Sequence, residues 1–178
     1  MDLSAQIFSG PQVADIAGVS PSTLQSWLTR YDPKVEDYRP AGAGSQGRRR
    51  HYSFYNVIHF SLAAVLVPML RSTEQALNAG ATFAHVGSPD VEGFSREPGI
   101  PYQDPNGKVE TMLCVSEKGT CVVPKVKGFD WWNHAQMLLG SPESGILCRP
   151  VDRVWADICW KMDLRPHQVT KAAMGSAE

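Results

Sequence analysis

The chain of 178 residues lacks an apolar run long enough to cross a bilayer. Its most apolar stretch, Val57 to Leu70, spans 14 residues and carries His59, Ser61 and Pro68, whereas a spanning helix needs about 20. That stretch reads as a buried or partner-facing helix. The N-terminus has no basic start followed by an apolar run and a small-residue cleavage site, so a cytoplasmic location is expected, with no membrane partner. Cysteines are few: Cys114, Cys121, Cys148 and Cys159 form no CxxC pair, and the expectation is buried thiols in a reducing compartment rather than a zinc site. The five histidines (51, 59, 85, 134 and 167) are scattered, and the chain has no HExxH, GxSxG, DxD or phosphate-binding glycine loop. No enzyme, cofactor or metal site is therefore expected.

Overall excess charge is also missing. The net charge is −1 and 43% of residues are hydrophobic, which suits a globular chain and excludes a globally basic nucleic-acid binder. What is present is local segregation. From Tyr38 to Thr73 there are five arginines (39, 48, 49, 50 and 71) and no Asp or Glu.

The residues before that stretch form a pattern. Ser9-Gly10-Pro11 reads as a helix start, Val13, Ala14, Ile16 and Ala17 as its inner face, and Gly18 as its left-handed end. Ser20 with Pro21 starts a second helix, on which Leu24, Trp27 and Leu28 share one face, so Trp27 belongs to the core. Two short helices around a tight Gly-containing turn fit a helix-turn-helix. Pro33 ends the second helix. Tyr38–Pro40 and Arg49–Tyr52 are expected to pair as a hairpin around the loop AGAGSQG, which makes a wing. Ser53 caps a third helix, Phe54 to about Leu66; Pro68 kinks it or starts another that stops at Asn78-Ala79-Gly80.

On this frame the candidate DNA-binding residues are Ser20, Ser22, Thr23, Gln25 and Ser26 on the polar side of the second helix and Arg30 at its end. Arg39, Arg48, Arg49, Arg50, His51 and Tyr52 join them from the wing. Gln can bond adenine in a bidentate manner, Ser and Thr can bond bases or phosphates, and consecutive arginines bring guanidinium donors to the backbone. A plain solvated surface is the alternative for each of them.

Gly18-Val19-Ser20, Leu24, the aromatic Trp27, the wing closure Arg50-His51-Tyr52-Ser53 and the following Asn56-Val57 together resemble the MerR family of winged helix-turn-helix regulators. The resemblance covers the N-terminal part only and implies a homodimer on a pseudo-palindromic operator, with the second helix in the major groove and the wing on the backbone. Gln25 stands where that family usually carries Arg, and Leu28 and Thr29 where Glu is common. No long heptad helix follows. Excisionase-type phage proteins share the module, so an accessory DNA-binding protein whose C-terminal half binds another protein is the alternative. A homodimer is expected because a single recognition helix makes few base contacts. Val57–Leu70 is the first candidate for its contact and the C-terminal domain the second.

Eight of the 22 residues from Gly87 to Lys108 are Gly or Pro, which predicts a linker or surface loop. Beyond it, Val109–Ser116 and Thr120–Val126 read as a hairpin, Asp130–Leu139 as a helix, Gly145–Arg149 as a strand and Val151–Met162 as an amphipathic helix. The expected architecture is α+β: a winged helix-turn-helix domain (1–80), a linker (81–108), a small α+β domain of unassigned role (109–165) and a flexible tail (166–178). Phe129, Trp131, Trp132, Trp155 and Trp160 either line a pocket for a small-molecule effector or pack a core. Cys114 and Cys121 face each other across the hairpin, where they permit redox sensing or simply pack.

Overall fold

Ser9 begins the first helix by donating its backbone N–H and its hydroxyl to Gln12 Oε1, both at 2.8 Å, with Pro11 pre-set for the first turn. In the computed structural model, which describes residues 1–5, 7–30, 50–70, 72–91, 93–104, 107–143 and 145–175, this helix, α1, covers Gly10–Ala17. Gly18 closes it in the left-handed region at φ +70°, a conformation that glycine adopts without a Cβ penalty. Helix α2, Pro21–Arg30, starts on Ser20, whose Oγ accepts from the Thr23 N–H at 3.0 Å. Val13, Ala14 and Ile16 of α1 and Leu24, Trp27 and Leu28 of α2 are buried together. Strand β1 (Phe8–Ser9) pairs antiparallel with β2 (His51–Tyr52), Phe8 opposite Tyr52. The expected partner strand, Tyr38–Pro40, lies outside the described residues.

Helix α3, Phe54–Leu66, is capped by Ser53, whose Oγ accepts from the Asn56 N–H at 3.3 Å. Ten of its 13 residues are buried, because helices α1, α4 (Thr73–His85) and α6 (Asp152–Lys161) all pack on it. A helix that is apolar all round needs such enclosure. Of the two readings of Val57–Leu70, buried or partner-facing, the helical part is buried by elements of the same chain, while Pro68 and Met69 at its end are exposed.

Helix α4 also runs through the expected stop at Asn78-Ala79-Gly80. Gly80 marks the crossing with α3: a Cβ there would lie 2.4 Å from the His59 carbonyl oxygen. The glycine serves close approach of two backbones rather than termination.

Residues 81–108 are likewise more than a linker. They hold the end of α4 and an antiparallel hairpin, β3 (Ser88–Val91) and β4 (Phe94–Arg96). Arg96 is only 4% exposed. Its Nη1 donates to the carbonyls of Phe83 at 2.9 Å and of Glu97 and Ile100 at 3.3 Å, its Nη2 to Val86, and its Nε to Ser88 Oγ at 3.3 Å. The guanidinium also lies 4.8 Å from the centre of the Phe83 ring. A cation is thus held against the last carbonyls of α4, the negative end of the helix dipole. Burial lowers its pKa to about 10, which leaves it protonated at neutral pH. Ile100 and Tyr102 are buried beside it. The Gly and Pro residues shape tight turns around this arginine, which is why composition alone read as a loop.

The remaining strands form an antiparallel sheet in the order β6 (Gly119–Lys125), β5 (Glu110–Ser116), β7 (Leu147–Pro150). Six of the seven β5 residues are buried, because both faces are covered. Leu113, Val115 and Val122 join the cluster packed with α4, and Met112, Cys114, Cys121 and Val123 meet Ala135 and Leu139 of helix α5 (Trp131–Leu138) and the residue after it. Asp152 at the start of α6 accepts from the Thr111 N–H at 2.8 Å and from its hydroxyl at 3.2 Å, tying α6 to β5. The tail expected to be flexible instead contains helix α7, Pro166–Met174, with Val169 and Ala173 buried. The larger core cluster runs from Leu3 to Ala173. One apolar interior therefore joins the N-terminal helices to α6 and α7, and Lys161 of α6 adds a 3.0 Å bond from Nζ to the Ile16 carbonyl of α1. Among the described residues no helix is long and apolar enough to cross a membrane.

Candidate nucleic-acid interface

The buried face of α2 decides which of its side chains point outward. With Leu24, Trp27 and Leu28 inside, Ser22, Gln25 and Thr29 are exposed and Thr23 and Ser26 are half-buried. Ser20 is exposed but already engaged: besides capping the helix, its hydroxyl lies 2.8 Å from both Ser22 Oγ and Thr23 Oγ1. The Gln25 amide donates from Nε2 to Thr29 Oγ1 at 3.5 Å, and that hydroxyl donates to the Gln25 backbone carbonyl at 2.9 Å.

The β1–β2 pair brings the next group in. It places His51 outward and Tyr52 inward, the latter 2% exposed with its ring edge-on to Phe60 at 6.2 Å. Arg50, just before β2, donates from Nη1 to Gln25 Oε1 at 3.4 Å. Burial pushes the Tyr52 phenol above its usual range, and the neighbouring Arg50 charge opposes that rise. One small surface thus gathers the amide of Gln25, the guanidinium of Arg50 and the hydroxyls of Ser22 and Ser26. A hollow of about 190 Å³ between Gly10, Pro21, Gln25 and Tyr52 lies within it.

Of the sequence candidates, Ser20, Ser22, Thr23, Gln25, Ser26, Arg50 and His51 lie on or beside this surface. Tyr52 is a core group whose ring packs under it. Arg39, Arg48, Arg49 and the side chain of Arg30 lie outside the described residues. The link between Gln25 and Arg50, 25 residues apart, had no signal in the sequence, because it depends on β2 pairing with the start of the chain.

The second half offers a different chemistry. The aromatic set does not converge on one pocket: Trp155 is buried in the main core and donates from Nε1 to the Gly99 carbonyl at 2.8 Å, Trp131 packs beneath the sheet, and Trp132 and Trp160 are exposed. A hollow of about 1100 Å³ lies elsewhere, between the α3–α4 turn (Met69, Leu70) and the ends of β5 and β7 (Ser116, Leu147). Cys114 stands opposite Cys121 on one neighbouring strand and opposite Cys148 on the other. Among the described residues no three His, Cys, Asp or Glu side chains are arranged to hold a metal ion. Compared with family models, with curated proteins and with solved structures, the chain matches none.

Proposed function

We propose that the protein is a sequence-specific double-stranded DNA-binding regulator of the cytoplasm, acting as a homodimer, with α2 in the major groove and the arginine-rich segment around residues 48–50 as a wing on the backbone. The observation that carries this reading is the placement of Arg50 against Gln25: a residue of the acid-free, arginine-rich stretch sits beside the exposed polar face of a short second helix. A base-reading amide next to a phosphate-seeking guanidinium is the combination that direct readout requires. Because α3 is enclosed, we place the dimer contact of this reading in the second half of the chain, the other candidate for it.

An accessory DNA-binding protein with a protein partner is the second reading. It is favoured by α5, whose Trp132, Met137 and Leu138 remain exposed.

The test is selection of bound fragments from a random duplex library at moderate salt, followed by titration at several salt concentrations. An enriched inverted repeat supports the dimeric regulator, and enrichment without symmetry favours the accessory reading. Binding that falls with salt should lose about one unit of log–log slope in Arg50→Ala. Absence of duplex binding at low salt would sink both readings.

A further inference from the structure

The sheet carries three cysteines in one row. On the central strand, Cys114 is in register with Cys121 of β6 and with Cys148 of β7. Directly opposed residues of antiparallel strands have Cα atoms about 4.5–5.5 Å apart, inside the range of roughly 4.4–6.8 Å that a disulfide spans. The Cys114 and Cys148 sulfurs already lie 3.0 Å apart, although 34 residues separate them in the chain. Access is graded across the row: Cys114 is fully buried, Cys121 is 9% exposed, and Cys148, on an edge strand, is half-exposed. The fourth thiol, Cys159, belongs to the other core cluster.

We propose that the row is a thiol-oxidation site in which Cys114 forms a reversible disulfide with Cys148, with Cys121 as a third thiol into which the bond can exchange. The oxidant is a low-molecular-weight disulfide. The Cys148 thiolate attacks one of its sulfurs, breaking that S–S bond and releasing one small thiolate. The Cys114 thiolate then attacks Cys148 Sγ and expels the second. Two protein thiols give up two protons and two electrons, and the small disulfide becomes two small thiols. The central position makes Cys114 common to both possible bonds. Hydrogen bonding to Cys121 and burial hold the Cys114 thiol above its ordinary range, and burial raises that of Cys148. The reaction therefore speeds up as pH rises from neutral. The closed bond ties edge strand β7 to the centre of the sheet.

The experiment treats the full chain with glutathione disulfide, quenches with acid, alkylates the remaining thiols in denaturant and digests with trypsin. The cysteines fall in four separate peptides: 109–118 (Cys114), 119–125 (Cys121), 128–153 (Cys148, since Pro150 protects Arg149) and 154–161 (Cys159). The expected result is a 109–118/128–153 linkage within a monomer-mass chain, reversed by dithiothreitol, with Cys159 alkylated. The oxidised chain should melt roughly 5–10 °C higher. In Cys148→Ser the linkage should move to 109–118/119–125, and Cys114→Ala should form no internal disulfide, Cys148 stopping at the mixed disulfide with glutathione. Four alkylated thiols in the wild type, a covalent dimer, a bond through Cys159, or an internal disulfide in a folded Cys114→Ala would each overturn the proposal. Where Cys114→Ala does not fold, the wild-type peptide map decides alone.

Discussion

Two arginines divide the molecule's chemistry. Arg50 is half-exposed and meets two side chains, Gln25, whose Oε1 accepts at 3.4 Å, and the Tyr52 phenol. Arg96 is 4% exposed and its donors meet four backbone carbonyls and a hydroxyl. The same side chain is thus available for a ligand in one place and consumed by the fold in the other. A guanidinium left partly in water keeps much of its hydration and contributes little to stability. A buried one must have its donors satisfied, and removing it then leaves polar groups without partners. Sequence neighbourhood pointed the opposite way for Arg96, which stands in the Gly- and Pro-rich stretch expected to be a linker.

The sharpest break of this comparison is Arg96→Met. It should lower the unfolding free energy by about 3 kcal/mol or more, because the Phe83, Val86 and Ile100 carbonyls lose their shared donor. Urea denaturation followed by circular dichroism measures it, and a loss below about 1 kcal/mol would show that the Arg96 network is dispensable.

The second break is a pH effect from α3 and α4. His59 is fully buried with its ring 5.5 Å from that of His85. Burial, together with the neighbouring His85, lowers His59 to about 3, and burial lowers His85 to about 4. Both folded values lie below the unfolded value of about 6.5, so the unfolded chain binds more protons between about pH 4 and 6.5. Stability is therefore full above pH 6.5 and falls as pH drops through that window, by about 1.4 kcal/mol per unit for each group that stays neutral. Thermal melts from pH 7.5 to 4.5 should show the decline, and His59→Gln should flatten it; an equal slope in the variant would remove His59 from the account.

Gly80→Ala comes third, at about 1–3 kcal/mol, since the new methyl meets the His59 backbone and α3 must shift away. Alanine normally stabilises a helix interior, so a stabilised variant would mean that α3 and α4 do not cross at this point.

The smallest effect on stability belongs to Arg50→Ala, within about 0.5 kcal/mol of wild type. It completes the contrast with Arg96: duplex affinity and its salt slope should change while the melting temperature does not. A large loss of stability would make Arg50 a structural residue.

Local sequence was sufficient where local forces decide. Ser53 and Phe54–Leu66, the Gly18 turn, the burial of Trp27, and the helix following Asp130 were legible from capping residues and apolar periodicity. So was the β5–β6 hairpin, through its alternating strands around Glu117–Gly119. The polar face of α2 followed from the same periodicity. The pairing of Gln25 with Arg50 did not, because a contact across 25 residues depends on where β2 docks.

By itself, then, the sequence determined α1 to α3, the β5–β6 hairpin, α5 and α6 and which of their faces are apolar, because those properties depend on neighbours within a turn or two. Tertiary structure alone decided that Gly80 continues a helix and that Gly- and Pro-rich turns wrap a buried arginine. It also decided that residues 166–174 dock as a helix, that α3 is enclosed by elements of its own chain, and that Cys148 joins the Cys114–Cys121 pair on one face of a sheet. The physical reason is common to all of these: each depends on desolvation and close approach between groups distant in sequence, and such energies exist only once the elements have packed.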